Sequence, residues 1–120
     1  MTKIVTIALA LIILSSCAAN KKVVGENDLP DCLKEKVVKM AEDPSEGTPL
    51  YITRYEFQGK MVYYMASPCC DKYNVVYDRD CKILGYPDGG LTGKGDGSLP
   101  NFRQDATNAK VIWAAKQEKK

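Results

Sequence analysis

Histidine is absent from this 120-residue sequence, and tryptophan occurs once. Without an imidazole, neither a serine nor a cysteine nucleophile has its usual activating base, and the commonest metal ligand is missing too. No Cys-x-x-Cys pair occurs, so the ligand spacing of structural zinc sites is lacking. No glycine-rich run ends in Gly-Lys-Ser/Thr, the signature of a phosphate cradle. Charge of one sign is also lacking: 17 basic residues face 15 acidic ones, whereas a nucleic-acid binder would carry a basic stripe. These gaps point to no catalytic residue, no metal, no cofactor and no nucleic acid.

What is present begins with an address. Lys3 precedes an apolar run, Ile4 to Leu14, which is too short to span a membrane and fits the h-region of an export signal. It ends in Leu14-Ser15-Ser16-Cys17, which resembles the lipobox of bacterial lipoproteins, where cleavage falls just before a diacylglyceryl-modified cysteine. The alternative is an ordinary secretory peptide cut near Ala18-Ala19. The lipobox reading makes residues 1–16 a signal peptide, Cys17 the lipidation site, 17–28 a lipidated tether and 29–120 a single domain. Cleavage leaves 104 residues and 16 basic side chains, one domain's worth of chain. Ala18 stands where an aspartate would suggest inner-membrane retention, so resemblance to Gram-negative lipoproteins favours the outer membrane, on either face.

Pro30 to about Glu42 reads as the one helix. Pro30 suits a first-turn position and Asp31 places a negative charge near the positive end of the helix dipole. Leu33, Val37, Met40 and Ala41 form an apolar stripe at helical spacing, and Asp43-Pro44-Ser45-Glu46-Gly47 stops it.

Tyr51 to Asp78 reads as sheet, rich in Tyr, Val, Ile and Thr. Gln58-Gly59 offers a two-residue turn, which sets Phe57 against Lys60, Tyr55 against Val62, Thr53 against Tyr64 and Tyr51 against Ala66. One face then carries Tyr51, Tyr55, Phe57, Val62 and Tyr64 and is the expected core side, onto which the helix stripe packs. The other carries Ile52, Arg54, Glu56, Met61, Tyr63 and Met65. Pro68 should end the second strand, and Tyr73 to Tyr77 returns beside it. Lys110 to Ala115 reads as a closing strand with Trp113 and Ile112 on opposite faces. Asn101 to Asn108 reads as irregular. The expected fold class is therefore α+β: one N-terminal helix packed on a small antiparallel β-sheet, stapled by disulfides.

With Cys17 lipidated, Cys32, Cys69, Cys70 and Cys81 remain for disulfides in an oxidising compartment. Neighbouring Cα atoms lie about 3.8 Å apart, short of the usual disulfide span of about 4.4–6.8 Å. That argues against a Cys69–Cys70 link and assigns Cys32 to one of that pair and Cys81 to the other.

Tyr86 to Pro100 is the oddest stretch, with five glycines between positions 89 and 97. Asp88, Gly89, Gly90, Gly93, Gly95, Asp96 and Gly97 make it a candidate ligand loop. The EF-hand pattern and the calcium nonapeptide repeat are both absent. A loop held by its own Asp-to-amide hydrogen bonds is the plainer expectation.

The run YEFQGKMVYYMASPCCDKYNVVYD, then PDGG-LTGKGDG, then VIW, resembles a family of short bacterial lipoproteins and secreted proteins known only as a domain of unknown function. The resemblance covers the chain from the helix to the Trp113 strand. Members often carry further cysteines where this chain has Gly85 and Leu99, so a staple across the loop is missing here. Two expectations follow. The first is an outer-membrane lipoprotein acting as a non-catalytic binding or structural module, with an envelope protein or a glycan as partner. The second is a carboxylate-dependent hydrolase drawing on Asp71, Asp78, Asp80, Asp88 and Asp96, or a calcium-dependent binder using the loop.

Overall fold

The computed structural model describes residues 28–69 and 71–116. The expected signal peptide, Cys17, nearly all of the tether, Cys70 and residues 117–120 lie outside them. The order of elements is α1 (Asp31–Glu42), β1 (Tyr51–Phe57), β2 (Lys60–Ala66), β3 (Tyr73–Tyr77), β4 (Ile83–Gly89), α2 (Phe102–Asp105) and β5 (Thr107–Ala114). The strands form one antiparallel sheet in the order β4-β3-β2-β1-β5, so the fold is α+β as expected.

The β1–β2 hairpin has the expected register throughout, from Tyr51 opposite Ala66 to Phe57 opposite Lys60. Gln58 and Gly59 both have positive φ, 50° and 74°, the turn whose twist matches that of paired strands. β2 stops before Pro68, and Ser67 then donates its amide to Asn74 Oδ1 at 2.8 Å and its hydroxyl to Tyr73 O at 2.7 Å, closing the turn into β3.

The helix does not sit on the face assigned to it. Leu33 and Val37 pack with Ile52, Tyr63, Met65, Tyr77 and Ile112, the other side of the hairpin. The reason is that β2 is the central strand and is buried on both faces: Val62, Tyr63, Tyr64, Met65 and Ala66 are all buried. Such strands read as continuous apolar runs. The second face, with Phe57, Val62, Tyr64 and Val76, is covered instead by Phe102 of α2 and by Leu99.

Three smaller differences follow from local geometry. Trp113 and Ile112 both lie against the helix-side cluster. Val111 pairs with Thr53 and Trp113 with Ile52, which leaves Ile112 as an extra residue at a register shift. The stretch expected to be irregular holds α2 and the start of β5, because buried Phe102 pins it. Tyr86 to Gly89 belongs to β4 rather than to the loop. Pro87 is tolerated because β4 is an edge strand.

Cys32 is bonded to Cys81, with Cα atoms 6.1 Å apart. This corrects the expected pairing of each with a member of the Cys69-Cys70 pair. Cys32 lies in the first turn of α1, against the β3–β4 turn, where its Sγ is 3.9 Å from Arg79 O. The other end of the helix meets the β2–β3 turn, where Lys72 Nζ donates to Ser45 O and Glu46 O, both at 2.8 Å. Exposed Cys69 is in that second turn. A 12-residue helix is about 18 Å long, and the five-residue β3 separates the two turns. Cys32 is therefore at the wrong end of the helix for Cys69.

Candidate functional site

The face of the sheet away from α1 carries a cavity of about 170 Å³ walled by Tyr51, Tyr55, Tyr64, Asp88, Phe102, Arg103 and Ala106. Strand alternation places the tyrosines there. Tyr51 and Tyr55 lie four residues apart on one face of β1, and Tyr64, on β2 opposite Thr53, is between them on the same face. The rings interlock: Tyr51 stacks on Tyr64 at 6.4 Å, Tyr55 meets Tyr64 edge-on at 6.3 Å, and Tyr55 meets Phe102 at 5.3 Å.

Asp88 closes the floor. Only 4% of it is exposed, and a buried carboxylate persists only when it is well supplied with donors. Three separate elements provide them. Tyr64 of β2 donates its hydroxyl at 2.8 Å, Asn74 of β3 its amide at 2.7 Å, and Arg103 of α2 forms an ion pair from its guanidinium. Burial first, then the hydrogen bond to Asp88 and that group's charge, push the Tyr64 phenol well above its ordinary pKa. Tyr64 therefore stays a neutral donor at any physiological pH. The Arg103 side chain is 74% exposed, so the guanidinium reaches from the Asp88 floor out to solvent.

The glycine-rich segment buttresses this floor from behind. Asp96 N donates to Tyr86 O and Gly90 N to Lys72 O. Gly95 has φ +71°, and a Cβ there would fall 2.1 Å from Tyr86 O, so no other residue fits so close to β4. Asp96 Oδ1 accepts from the Ser98 amide at 2.9 Å and from its hydroxyl at 2.5 Å. These bonds hold the Asp96 carboxyl below the usual carboxylate range. Ser98 Oγ in turn accepts from Tyr86 N.

Of the residues singled out from the sequence, Asp88 is in the site. Gly89 and Gly90 follow it, while Gly93, Gly95, Asp96 and Gly97 form the supporting loop behind. Asp78 and Asp80 do not converge on Asp88. Asp78 bonds the amides of Asp80 and Lys82 in the β3–β4 turn. That turn is six residues of extended chain from Asp88, on the order of 20 Å, against the roughly 5–10 Å of a glycosidase carboxylate pair. Of the described residues, Asp88 is the single carboxylate lining the cavity. Among the described residues, no three His, Cys, Asp or Glu side chains are grouped as a metal site would need.

Sequence reasoning missed Phe102 and Arg103, which lie in a stretch with no periodicity, and the partnership of Tyr64 and Asn74 with Asp88. One signal was available. The unbroken apolar run from Met61 to Ala66 marks a strand covered on both faces, which requires a second covering segment beyond α1.

A family model described as a domain of unknown function (DUF6970) matches residues 38–115, from within α1 to just past β5. No curated protein and no solved structure matches the chain.

Proposed function

Because the chain belongs to the DUF6970 family, a domain of unknown function, we propose its role from the site itself: a lipid-anchored envelope protein that binds a small ligand in the tyrosine-walled cavity without transforming it. The observation that carries this reading is the state of Asp88. Among the described residues it is the only acid in the cavity, and its oxygens already accept from Tyr64, Asn74 and Arg103. A carboxylate has about four acceptor positions, so little capacity remains for proton transfer or nucleophilic attack. A rigid aromatic wall beside a few fixed polar groups is what a binding site needs. The anchor is proposed from Leu14-Ser15-Ser16-Cys17, with Ala18 favouring the outer membrane.

Two measurements test this. Cys17→Ser should move the protein from the detergent fraction to the soluble fraction, and retention in the detergent fraction would overturn the anchor. A fragment library screened by amide NMR on the full chain should shift the signals of Tyr51, Tyr55, Tyr64 and Arg103, and Tyr51→Ala should abolish those shifts. Fragments that bind elsewhere, or nowhere, would overturn the cavity as the site.

A further inference from the structure

We infer that the cavity takes an uncharged pyranose ring, a single sugar unit of a neutral glycan; this rests on the cavity being the ligand site. Three features of the site select that class. The first is size. At about 170 Å³ the cavity is well under the roughly 300–1,000 Å³ of sites for drug-sized ligands, so it admits one ring-sized group, with the rest of a larger ligand left outside.

The second is charge. Among the described residues, Asp88 and Arg103 are the two charged side chains lining the cavity, and they are paired with each other. An anionic ligand would bring a second negative charge to the one guanidinium and set it beside a carboxylate only 4% exposed. A cationic ligand would meet the guanidinium before it reached Asp88. Like charges at such range in a partly desolvated site disfavour both. A neutral ligand meets neither penalty.

The third is the pairing of flat and polar surfaces. Tyr51, 39% exposed, and Tyr55 present rings whose π faces are negative and attract the polarised C–H groups of a sugar face. The phenols and the exposed guanidinium stand around them. A guanidinium has five N–H donors, and Asp88 engages a nitrogen at one edge of it, so donors remain for ring hydroxyls. An aliphatic ligand would cover these donors without pairing them, which disfavours it.

The test is calorimetry on the full chain in detergent, with maltotetraose, cellotetraose and chitotetraose as neutral probes and trigalacturonic acid as the charged one. At least one neutral probe should bind, with an affinity that changes little between low and high salt. Tyr51→Ala should weaken it by about tenfold, while Tyr51→Phe, which keeps the ring, should weaken it less. Arg103→Gln, which keeps hydrogen-bond donors, serves as the control if the alanine variant unfolds, and it should bind measurably but more weakly. Binding of trigalacturonic acid in preference to all three neutral probes would overturn the ligand class. So would a neutral probe whose affinity is unmoved by Tyr51→Ala. If no oligosaccharide binds while fragments still shift the Tyr51 and Arg103 amides, the saccharide assignment falls and the cavity reading survives. If neither binds, both fall.

Discussion

Leu99 lies directly on Gly85: a Cβ added at Gly85 would meet Leu99 Cγ at 2.6 Å. These are the two positions where the resemblance noted in the sequence would lead one to expect a cysteine pair. In this chain an apolar contact joins them, and Leu99 continues from it into the aromatic cluster over β2.

The double variant Gly85→Cys with Leu99→Cys should therefore close a disulfide. A loop of about 15 residues would be constrained, worth up to about 3 kcal/mol. Thiol titration and thermal melting, with and without reductant, check this. Gly85→Ala alone should destabilise, since its methyl group enters the space of Leu99. Two free thiols in the folded double variant would refute the proximity.

Tyr64→Phe should cost about 1–3 kcal/mol at neutral pH, because it takes a donor from the buried Asp88. It should also change the alkaline limb of stability. The folded-state pKa of Tyr64 is raised above 10.0, so its contribution is fully present below pH 10 and is lost as pH rises through the folded-state value. Burial moves Tyr77 the same way, so the variant should retain part of the decline. Urea unfolding from pH 7 to 11 measures both slopes, and parallel curves for the two proteins would count against the assignment.

Replacing Cys32 and Cys81 together by serine should lose about 4 kcal/mol, the chain-entropy value for a sequence separation of 49. Urea midpoints measure the loss. Mass spectrometry of the non-reduced digest should show the Cys32–Cys81 peptide pair, and a Cys32–Cys69 or Cys32–Cys70 pair would contradict the fold.

Melting curves in millimolar calcium and in chelator should coincide. Calcium takes six to eight oxygens, while Asp88 is committed to three donors and Asp96 to Ser98. A real site would raise the melting temperature with calcium concentration by mass action. A rise abolished by Asp96→Asn would restore the loop as the functional site.

The hairpin was legible because its information is local: alternation fixes the faces and Gln58-Gly59 fixes the register. The seat of the helix was not, because Tyr51-Tyr55-Phe57 and Ile52-Tyr63-Met65 are both apolar enough to be covered. Which covering segment takes which face depends on where the chain emerges after Leu29. Arg54 of β1 decides part of that by binding Asp28 at 2.8 Å on the helix side. The disulfide was misassigned for a related reason. Excluding the neighbouring pair used covalent geometry alone, whereas the Cys32–Cys81 bond depends on α1 running from the β3–β4 turn to the β2–β3 turn. Asp88 was legible as a residue of interest but not in its role, since its three partners lie 14 to 24 positions away.

The Cys32–Cys81 bond also sets how the domain bears mechanical load. In the proposed anchored protein, a ligand fixed to its surroundings and a lipid held in the membrane pull against each other through the start of α1. Under such tension an unbraced helix would unwind from its first turn and draw β1 out after it. Here the chain is clamped at the second residue of the helix. From the tether the force crosses the disulfide to the β3–β4 turn instead of running along the chain through α1 into β1. The tyrosine wall on β1 and β2 still carries the ligand's share of the load, but the tether cannot peel those strands out from the helix end, and reduction of that single bond would let it.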